Sequence, residues 1–291
     1  MSAPAVQLGL EVAYLSDVGA VRSENQDACA ELQNGSGARL LVVADGMGGH
    51  RGGATASRLA VETLAQVFRA GGLAGPDLLR EGFVRANERV CMAAQSDAEL
   101  TGMGTTAVAL LFEPAAGVWV AHVGDSRAYR MRDGVLQQLT RDHSTVAELV
   151  SRGLISEAEA ADHPRRNEIL RSLGVSPQVE VDIAAVDVRA DDQFILCSDG
   201  LSGVVAAEQI AAVLSRTPPH EAVRLLVEGA NANGGPDNVT VMIAAMPGAR
   251  SALRAPAPRG RDIRPLALAT AVVAAALLVV LTCLWWWGVP R

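Results

Sequence analysis

Three apolar runs of this 291-residue chain end in an aspartate beside glycine or serine, and this recurring pattern limits the fold more than any other feature. The three junctions are Ala44-Asp45-Gly46, Gly124-Asp125-Ser126 and Ser198-Asp199-Gly200, and a fourth, Pro236-Asp237-Asn238, precedes the apolar run Val239–Ala244. Short apolar runs rich in β-branched residues are typical of buried strands. Because several strands of one sheet can converge at their ends, we predict a group of carboxylates at one point of the fold.

The four aspartates favour a divalent-metal site. Carboxylates held close together repel one another unless a cation lies between them. Hard oxygen ligands select Mg²⁺ or Mn²⁺ over softer metals, and glycine beside an aspartate lets a backbone carbonyl approach as a further ligand. A single Asp-Gly pair is also a common turn, which is our interpretation of Asp133-Gly134. Four aspartates in comparable strand contexts favour the metal over the turn.

Composition excludes several classes of function. The 25 basic residues are all arginines, so the chain has no Gly-Lys-Ser/Thr phosphate loop and no Schiff-base lysine. Residues 1–247 carry 31 acidic residues against 19 arginines, which argues against nucleic acid as a ligand. The four cysteines form no Cys-x-x-Cys pair, so neither a zinc site nor a disulfide framework is expected.

The C-terminal part predicts a membrane anchor. Residues 266–287 form a run of 22 residues without a charge. A helix of that length crosses the roughly 30 Å hydrocarbon core of a bilayer, and three tryptophans at its end are typical of the interface. Five arginines in the Pro/Ala/Arg-rich linker 248–265 and one in the tail 288–291 orient it as a single-pass helix of the cell inner membrane. Residues 1–265, which include the catalytic domain, are then expected in the cytoplasm and only residues 288–291 outside. A buried core helix is the alternative, although such a helix usually keeps a polar face.

Residues 1–247 alternate between strand and helix patterns and form one predicted domain. Strands with hairpin spacing and helices that come mostly in pairs favour antiparallel sheets covered by helices. The predicted strands are Leu40–Ala44, Thr106–Phe112, Val118–Val123, Gln193–Cys197 and Val239–Ala244, with a hairpin of Ala128–Arg132 and Val135–Leu139; the predicted helices are Gly53–Ala70, Gly75–Ser96, Ala147–Arg152, Glu157–Ala161, Glu208–Ser215 and Pro219–Gly234.

Eight motifs in this domain carry a family resemblance. They are Gly19…Arg22…Asn25-Gln26-Asp27, Val42–His50, Met103–Thr106, His122–Tyr129, Leu139–Ser144, Ile169–Gly174, Cys197–Leu201 and Gly235–Val241. Together they resemble the metal-dependent Ser/Thr protein phosphatases, the PPM or protein phosphatase 2C family, in its bacterial form. The motifs occur in the family's order and cover about residues 10–245.

The resemblance implies a fold and a set of site residues. The expected fold is α+β, a four-layer αββα β-sandwich flanked by antiparallel helix pairs. Asp45 corresponds to the carboxylate that bridges two ions, the carbonyl of Gly46 to a ligand of one ion, and Asp199 and Asp237 to ligands of the other. Asp125 corresponds, with Asp199, to a ligand of the third, weaker ion of bacterial relatives. Arg22 corresponds to the phosphate-binding arginine, and Asp27 to an acid that holds a metal-bound water.

The resemblance also implies a mechanism. A hydroxide that bridges two Mn²⁺ or Mg²⁺ ions would attack the phosphorus of phosphoserine or phosphothreonine in line, without a covalent intermediate. Met47 stands where eukaryotic members carry a histidine proposed as the general acid, so the group that protonates the leaving oxygen is unassigned. Methionine is usual there in the bacterial branch, and activity is still expected. Gln26 replaces the glutamate of many relatives and removes one negative charge near the ions.

The implied partners are cytoplasmic phosphoproteins, including a Ser/Thr kinase that the enzyme opposes, and no nucleic acid. Three alternatives are a pseudophosphatase that binds phosphoproteins without turnover, a regulatory phosphatase of an anti-sigma-antagonist protein, and a structural membrane protein. The metal-site aspartates argue against the first, the lack of room for a sensor domain against the second, and the acidic cluster against the third. His122 is predicted to be a core residue with a satisfied hydrogen bond, and His143 to be structural rather than a metal ligand.

Overall fold

The computed structural model describes residues 9–114 and 116–248, except for the side chains of residues 49 and 50. The strands in that part of the chain are β1 (Glu11–Asp17), β2 (Asp27–Gln33), β3 (Arg39–Met47), β4 (Gly104–Thr105), β5 (Ala107–Glu113), β6 (Gly117–Val123), β7 (Arg127–Arg132), β8 (Val135–Gln138), β9 (Asp182–Val186), β10 (Gln193–Cys197) and β11 (Val239–Ala245). The α-helices are α1 (Gly49–Ala70), α2 (Gly75–Ser96), α3 (Thr145–Ser151), α4 (Glu157–Ala161), α5 (Asp199–Ser202), α6 (Ala207–Leu214) and α7 (Pro219–Ala232), and a 3₁₀ turn covers Ala98–Leu100.

The strands form two antiparallel sheets. One has the order β1-β11-β10-β7-β8, and the other has the order β2-β3-β5-β6-β9 with β4 added beside β3. Neighbouring strands run in opposite directions throughout both sheets. This pairing brings the end of β3 to the start of β2, and the end of β10 to the start of β11.

Alternation along the central strands explains why the sheets stack. On β3, Leu41 and Val43 face the opposite sheet, whereas Leu40 and Val42 pack under helices. Because successive side chains of a strand point to opposite faces, a strand covered on both sides must be apolar throughout. All four of these side chains are fully buried. The continuous apolar runs in the sequence are therefore the strands of the sandwich interior.

Each sheet carries a pair of helices on its outer face. The apolar sides of α1 and α2 pack on the six-stranded sheet, and those of α6 and α7 pack on the five-stranded sheet. The layers therefore follow the order helices, sheet, sheet, helices. This confirms the predicted α+β class with two antiparallel sheets and covering helices.

Elements with a clear sequence signal are predicted correctly, and elements without such a signal are missed. Helix α2 has the predicted bounds Gly75–Ser96, and the predicted turn at Asp133-Gly134 has the positive φ angles of 51° and 81° that such a turn requires. The sequence pattern does not identify β1, β2 and β9, which lie at sheet edges. Their side chains are mostly half-buried or exposed, so they produce no continuous apolar run.

The predicted anchor at residues 266–287, the tail 288–291 and almost all of the linker 248–265 lie outside the described residues. Among the helices of residues 9–114 and 116–248, none is both long and apolar enough to cross a membrane.

The aromatic contact between the sheets provides a test of this packing. The rings of Phe112 and Phe194 are fully buried and meet edge to face at 5.5 Å. We expect Phe194→Ala to lower the free energy of unfolding by about 3–5 kcal/mol, because it leaves a cavity between two sheets that cannot collapse. Urea denaturation measures the change. Met92→Ala, at a position 67% exposed, is the control, with an expected change below about 0.5 kcal/mol; equal losses in the two variants would contradict the packing.

Candidate metal centre

Five aspartates lie at the same end of the sandwich because of strand pairing. Asp45 lies near the end of β3 and is paired in register with Asp27 at the start of β2. Asp125 follows the end of β6, Asp199 follows β10, and Asp237 precedes β11. The fold therefore brings together the five aspartates that the sequence analysis named.

The buried carboxyl groups of this cluster lie close enough to disfavour one another's charged forms. Burial, followed by the charges of Asp27, Asp199 and Asp125, raises the pKa of Asp45 well above its ordinary value. Burial also raises the pKa of Asp199, and the charge of Asp237 adds to that effect. The cluster is therefore short of positive charge.

Asp27 and Asp125 behave in the same way. Burial raises the pKa of Asp27 to about 6, although hydrogen bonds from Thr240 and Ser198 oppose the shift. Burial, followed by the charge of Asp199, raises the pKa of Asp125 to about 7. In both cases the protein holds a carboxyl group where its charged form lacks compensation.

Unpartnered oxygens show what the cluster can bind. The Oδ1 atoms of Asp27, Asp125 and Asp199 are buried and accept no hydrogen bond from the described part of the chain. Buried carboxylate oxygens are costly unless a hydrogen bond or a cation compensates them. An oxygen-only donor set of this charge fits hard divalent ions such as Mn²⁺ and Mg²⁺.

The cluster opens into a cleft of about 1050 Å³. Asp125, Asp199, Asp237 and Arg22 line one part of it, and helices α3 and α4 line another. Nη2 of Arg22 donates to Oδ2 of Asp237 at 2.8 Å, and the Arg22 side chain is 55% exposed. The predicted phosphate-binding arginine thus lies at the rim, beside a carboxylate. Asp45 does not itself line the cleft, but the charges of Asp199 and Asp125, which do, raise the pKa of Asp45.

Two threonines hold the backbone of Asp45. The hydroxyl of Thr105 and the amide of Thr106 both donate to the Asp45 carbonyl at 2.8 Å. The Asp45 amide donates to Oγ1 of Thr106 at 3.1 Å. The next residue, Gly46, is buried against α1, and a Cβ there would lie 2.1 Å from the carbonyl of Gly53. Only glycine permits this approach.

Asn238 is a functional residue that sequence reasoning did not identify. Its side chain is buried, and Nδ2 donates to the carbonyls of Val18 and Glu24 at 2.9 Å. Its Oδ1 accepts from the Gln26 amide at 2.8 Å, so Asn238 fixes the loop that carries Arg22. Asparagine directly after Asp237 in a glycine-rich turn was the available signal.

Comparison with known proteins bears on this centre. The family model described as "Protein phosphatase 2C" matches residues 20–233. The serine/threonine phosphatase stp of Listeria monocytogenes is 39% identical over 236 residues, covering 79% of this chain and 93% of stp.

Solved structures show the same similarity. The crystal structure of the Mycobacterium tuberculosis serine/threonine phosphatase PstP/Ppp superposes with a TM-score of 0.75 at 40% identity, covering 82% of this chain and 99% of that one. The catalytic domain of a serine/threonine protein phosphatase PstP in complex with two manganese ions has a TM-score of 0.72 at 38% identity, covering 82% and 98% of the two chains.

The raised pKa of Asp125 predicts how the stability of the metal-free protein depends on pH. The pKa is about 7 in the folded state against an ordinary value of 3.8, so the folded state holds the proton more tightly. The stabilisation that this tighter proton binding contributes is fully present below about pH 4 and is lost as the pH rises through about 7. In EDTA, we therefore expect the Tm of the wild type minus that of Asp125→Asn to increase as the pH is lowered from about 7.5 to about 5. Scanning fluorimetry measures it.

Asp133→Asn is the control for this measurement, because Asp133 lies exposed in a turn where asparagine fits the positive φ angle. Its Tm difference from the wild type should stay constant over the same pH range. A difference for Asp125→Asn that is constant or decreases on acidification would show that the carboxyl is not desolvated.

Proposed function

This chain belongs to the protein phosphatase 2C family, and we propose that its active site consists of Asp27, Asp45, Asp125, Asp199, Asp237 and Arg22. As a member of that family it is a metal-dependent serine/threonine protein phosphatase that uses Mn²⁺ or Mg²⁺. The observation that carries this assignment is the convergence of the five aspartates, three of which have a buried oxygen without a hydrogen-bond partner. Its substrates are phosphoserine and phosphothreonine residues of cytoplasmic proteins.

The carboxylates divide between holding ions and holding water. Asp45, Asp199 and Asp237, together with the Gly46 carbonyl, would hold two ions, and Asp125 with Asp199 would hold a third. The two manganese ions of the related PstP catalytic domain support the first part of this assignment. Bound ions would make a water nucleophilic near neutral pH and would offset charge on the phosphoryl oxygens.

Asp27 is oriented for work on that water. The hydroxyl of Ser198 donates to Oδ2 of Asp27 at 2.7 Å, which leaves Oδ1 as the unpartnered oxygen. A carboxylate anchored through one oxygen presents the other in a fixed direction. We assign Oδ1 of Asp27 the role of accepting a hydrogen bond from the attacking water.

Arg22 binds the phosphoryl group. Its guanidinium can present two parallel N–H donors to two phosphoryl oxygens, and no other positively charged side chain offers this geometry. Its ion pair with Asp237 holds it at the rim of the cleft before the substrate enters. An exposed pair of this kind is weak, so exchange for a phosphate costs little.

The location and partner of the enzyme rest on the sequence. A helix at residues 266–287 would tether the catalytic domain to the inner membrane, with the domain 1–247 in the cytoplasm. A membrane-tethered phosphatase of this family would act on phosphoproteins near the membrane, and a Ser/Thr kinase is the partner we propose.

Metal dependence provides the first test. The full chain should hydrolyse a phosphothreonine peptide with Mn²⁺, lose activity with EDTA and regain it when Mn²⁺ is restored. Asp199→Asn should lower kcat/KM by about 1000-fold, since it removes a carboxylate that would hold the metal ions whose charge stabilises the transition state. Arg216→Ala, at an exposed position outside the cleft, is the control. Tight phosphopeptide binding without turnover by folded, Mn²⁺-loaded protein would instead indicate a binding module.

The role of Arg22 has a separate test. We expect Arg22→Ala to lower kcat/KM for the same peptide by about 100-fold, and Arg22→Lys to recover only part of it, because lysine keeps the charge but not the two-donor geometry. Steady-state kinetics at saturating Mn²⁺ separate this effect from metal loss. Equal activity of the lysine variant and the wild type would show that charge alone suffices.

A further inference from the structure

The turn Gly124–Ser126, which carries Asp125, is pressed against Thr106. Gly124 has a φ of +105°, and a Cβ at this position would lie 2.6 Å from the Thr106 side chain. On the other side of Asp125, Oγ of Ser126 lies 2.6 Å from Oγ1 of Thr106. Since Thr106 also binds the amide of Asp45, one side of the turn is fixed to the strand that carries Asp45.

His143 holds the opposite side of the turn. Its amide donates to the Gly124 carbonyl at 2.9 Å, and the Gly124 amide donates to Nδ1 of His143 at 3.1 Å. A backbone N–H can only donate, so Nδ1 of His143 must be an unprotonated acceptor. The proton of the neutral imidazole is therefore on Nε2.

Asp182 lies beside that proton. Oδ2 of Asp182 is 3.3 Å from Nε2 of His143 but outside hydrogen-bond geometry, and Oδ1 of Asp182 accepts from Nη1 of Arg171 at 2.8 Å. The negative charge of the carboxylate favours a proton on the adjacent Nε2, which is the same tautomer that the Gly124 amide requires. Burial, together with nearby His122 and Arg171, lowers the pKa of His143, which keeps the ring neutral.

His122 supports the ring of His143 without taking part in these bonds. The two imidazoles stack with centroids 4.6 Å apart. Nε2 of His122 donates to the Arg141 carbonyl at 2.8 Å, which agrees with the core role predicted for His122. Both rings are more than nine-tenths buried.

We propose that His143 is a positioning residue for Asp125: its unprotonated Nδ1 holds the Gly124 amide and with it the adjacent carboxylate, and the charge of Asp182 supports the Nε2–H tautomer that this bond requires. This inference rests on the proposed function, in which Asp125 binds a divalent ion. His143 acts through the Gly124 backbone, and it is absent from the lining of the active-site cleft, unlike Asp125.

The same side chains could also be taken for a second metal site. Ligand atoms of His122, His143 and Asp182 lie within 4.8 Å of one another. However, an ion on Nε2 of His143 would require both ring nitrogens to lack a proton while Nδ1 still accepts from Gly124, which makes the ring an imidazolate. Arg171 already places a positive charge on Asp182. Both observations favour the positioning role over an ion.

A pair of variants tests the role of Nδ1. The Oδ1 atom of an asparagine side chain lies about where Nδ1 of histidine lies, so His143→Asn keeps an acceptor for the Gly124 amide, whereas His143→Leu removes it. In the full chain, we expect His143→Leu to lower the affinity for the most weakly bound Mn²⁺ ion, the one assigned to Asp125, by about 10-fold. Titration calorimetry measures this affinity. Amide hydrogen exchange of the segment that contains Gly124–Ser126 should accelerate in the metal-free protein. We expect His143→Asn to stay within about 2-fold of the wild type in both measurements.

The control is His220→Leu, which removes an imidazole at an exposed position on α7 and should change neither measurement. Equal effects of the leucine and asparagine variants at position 143, or no effect of either, would overturn the proposal. Because hydrogen exchange is measured without metal or substrate, a protein that lacks phosphatase turnover can still support or overturn it.

The tautomer is measured directly in the wild-type protein, so the inference does not depend on a variant that folds. Nitrogen-15 spectra of histidine-labelled protein should show the proton of neutral His143 on Nε2 and an unprotonated Nδ1. A proton on Nδ1 would overturn the proposal. So would loss of the Nε2 proton of His143 on addition of Zn²⁺, which would indicate the metal site instead.

Discussion

Repulsion between carboxyl groups at one end of the sandwich is the constraint on which the rest of the structure depends. Burial raises the pKa values of Asp27, Asp45, Asp125 and Asp199, and the charges of neighbouring carboxyl groups raise them further. Such a cluster disfavours the folded chain unless a cation is bound. The protein retains it because the same uncompensated charge is what draws a divalent ion to the site.

Holding these groups together requires a scaffold that does not yield. The aspartates lie at the ends of strands whose interiors are buried on both faces, between the opposite sheet and a layer of helices. Close packing of this kind resists displacement of a strand end. Hydrogen bonds then fix the individual groups: Thr105 and Thr106 hold the Asp45 backbone, and Asn238 holds the loop of Arg22. The hydroxyl of Thr106 contacts both parts of the site, because it accepts from the Asp45 amide and also hydrogen-bonds Ser126, the residue after Asp125.

The elements that could be predicted are those whose burial is recorded in the chain itself. Helix α2 and strand β10 have their predicted bounds, because both present long or continuous apolar patterns. Helix α1 begins at Gly49, ahead of the predicted Gly53, since its first turn is glycine-rich and carries no apolar signal. The sequence pattern does not predict edge strands such as β1, because Tyr14 and Leu15 are exposed and the strand is defined by its pairing with β11. Pairing across more than 200 residues leaves no local trace.

The sequence by itself determined the layered class of the fold and the aspartates that the site would need, since apolar runs and the acids at their ends are properties of neighbouring residues. It did not determine that Asn238 would reach two carbonyls of a distant loop, or that Thr106 would join Asp45 to Ser126. Nor did it show that the Gly124 amide would decide which nitrogen of His143 carries the proton. Those facts depend on the direction of a hydrogen bond between groups far apart in the chain, and only the packed strands bring such groups within 3 Å or so of one another.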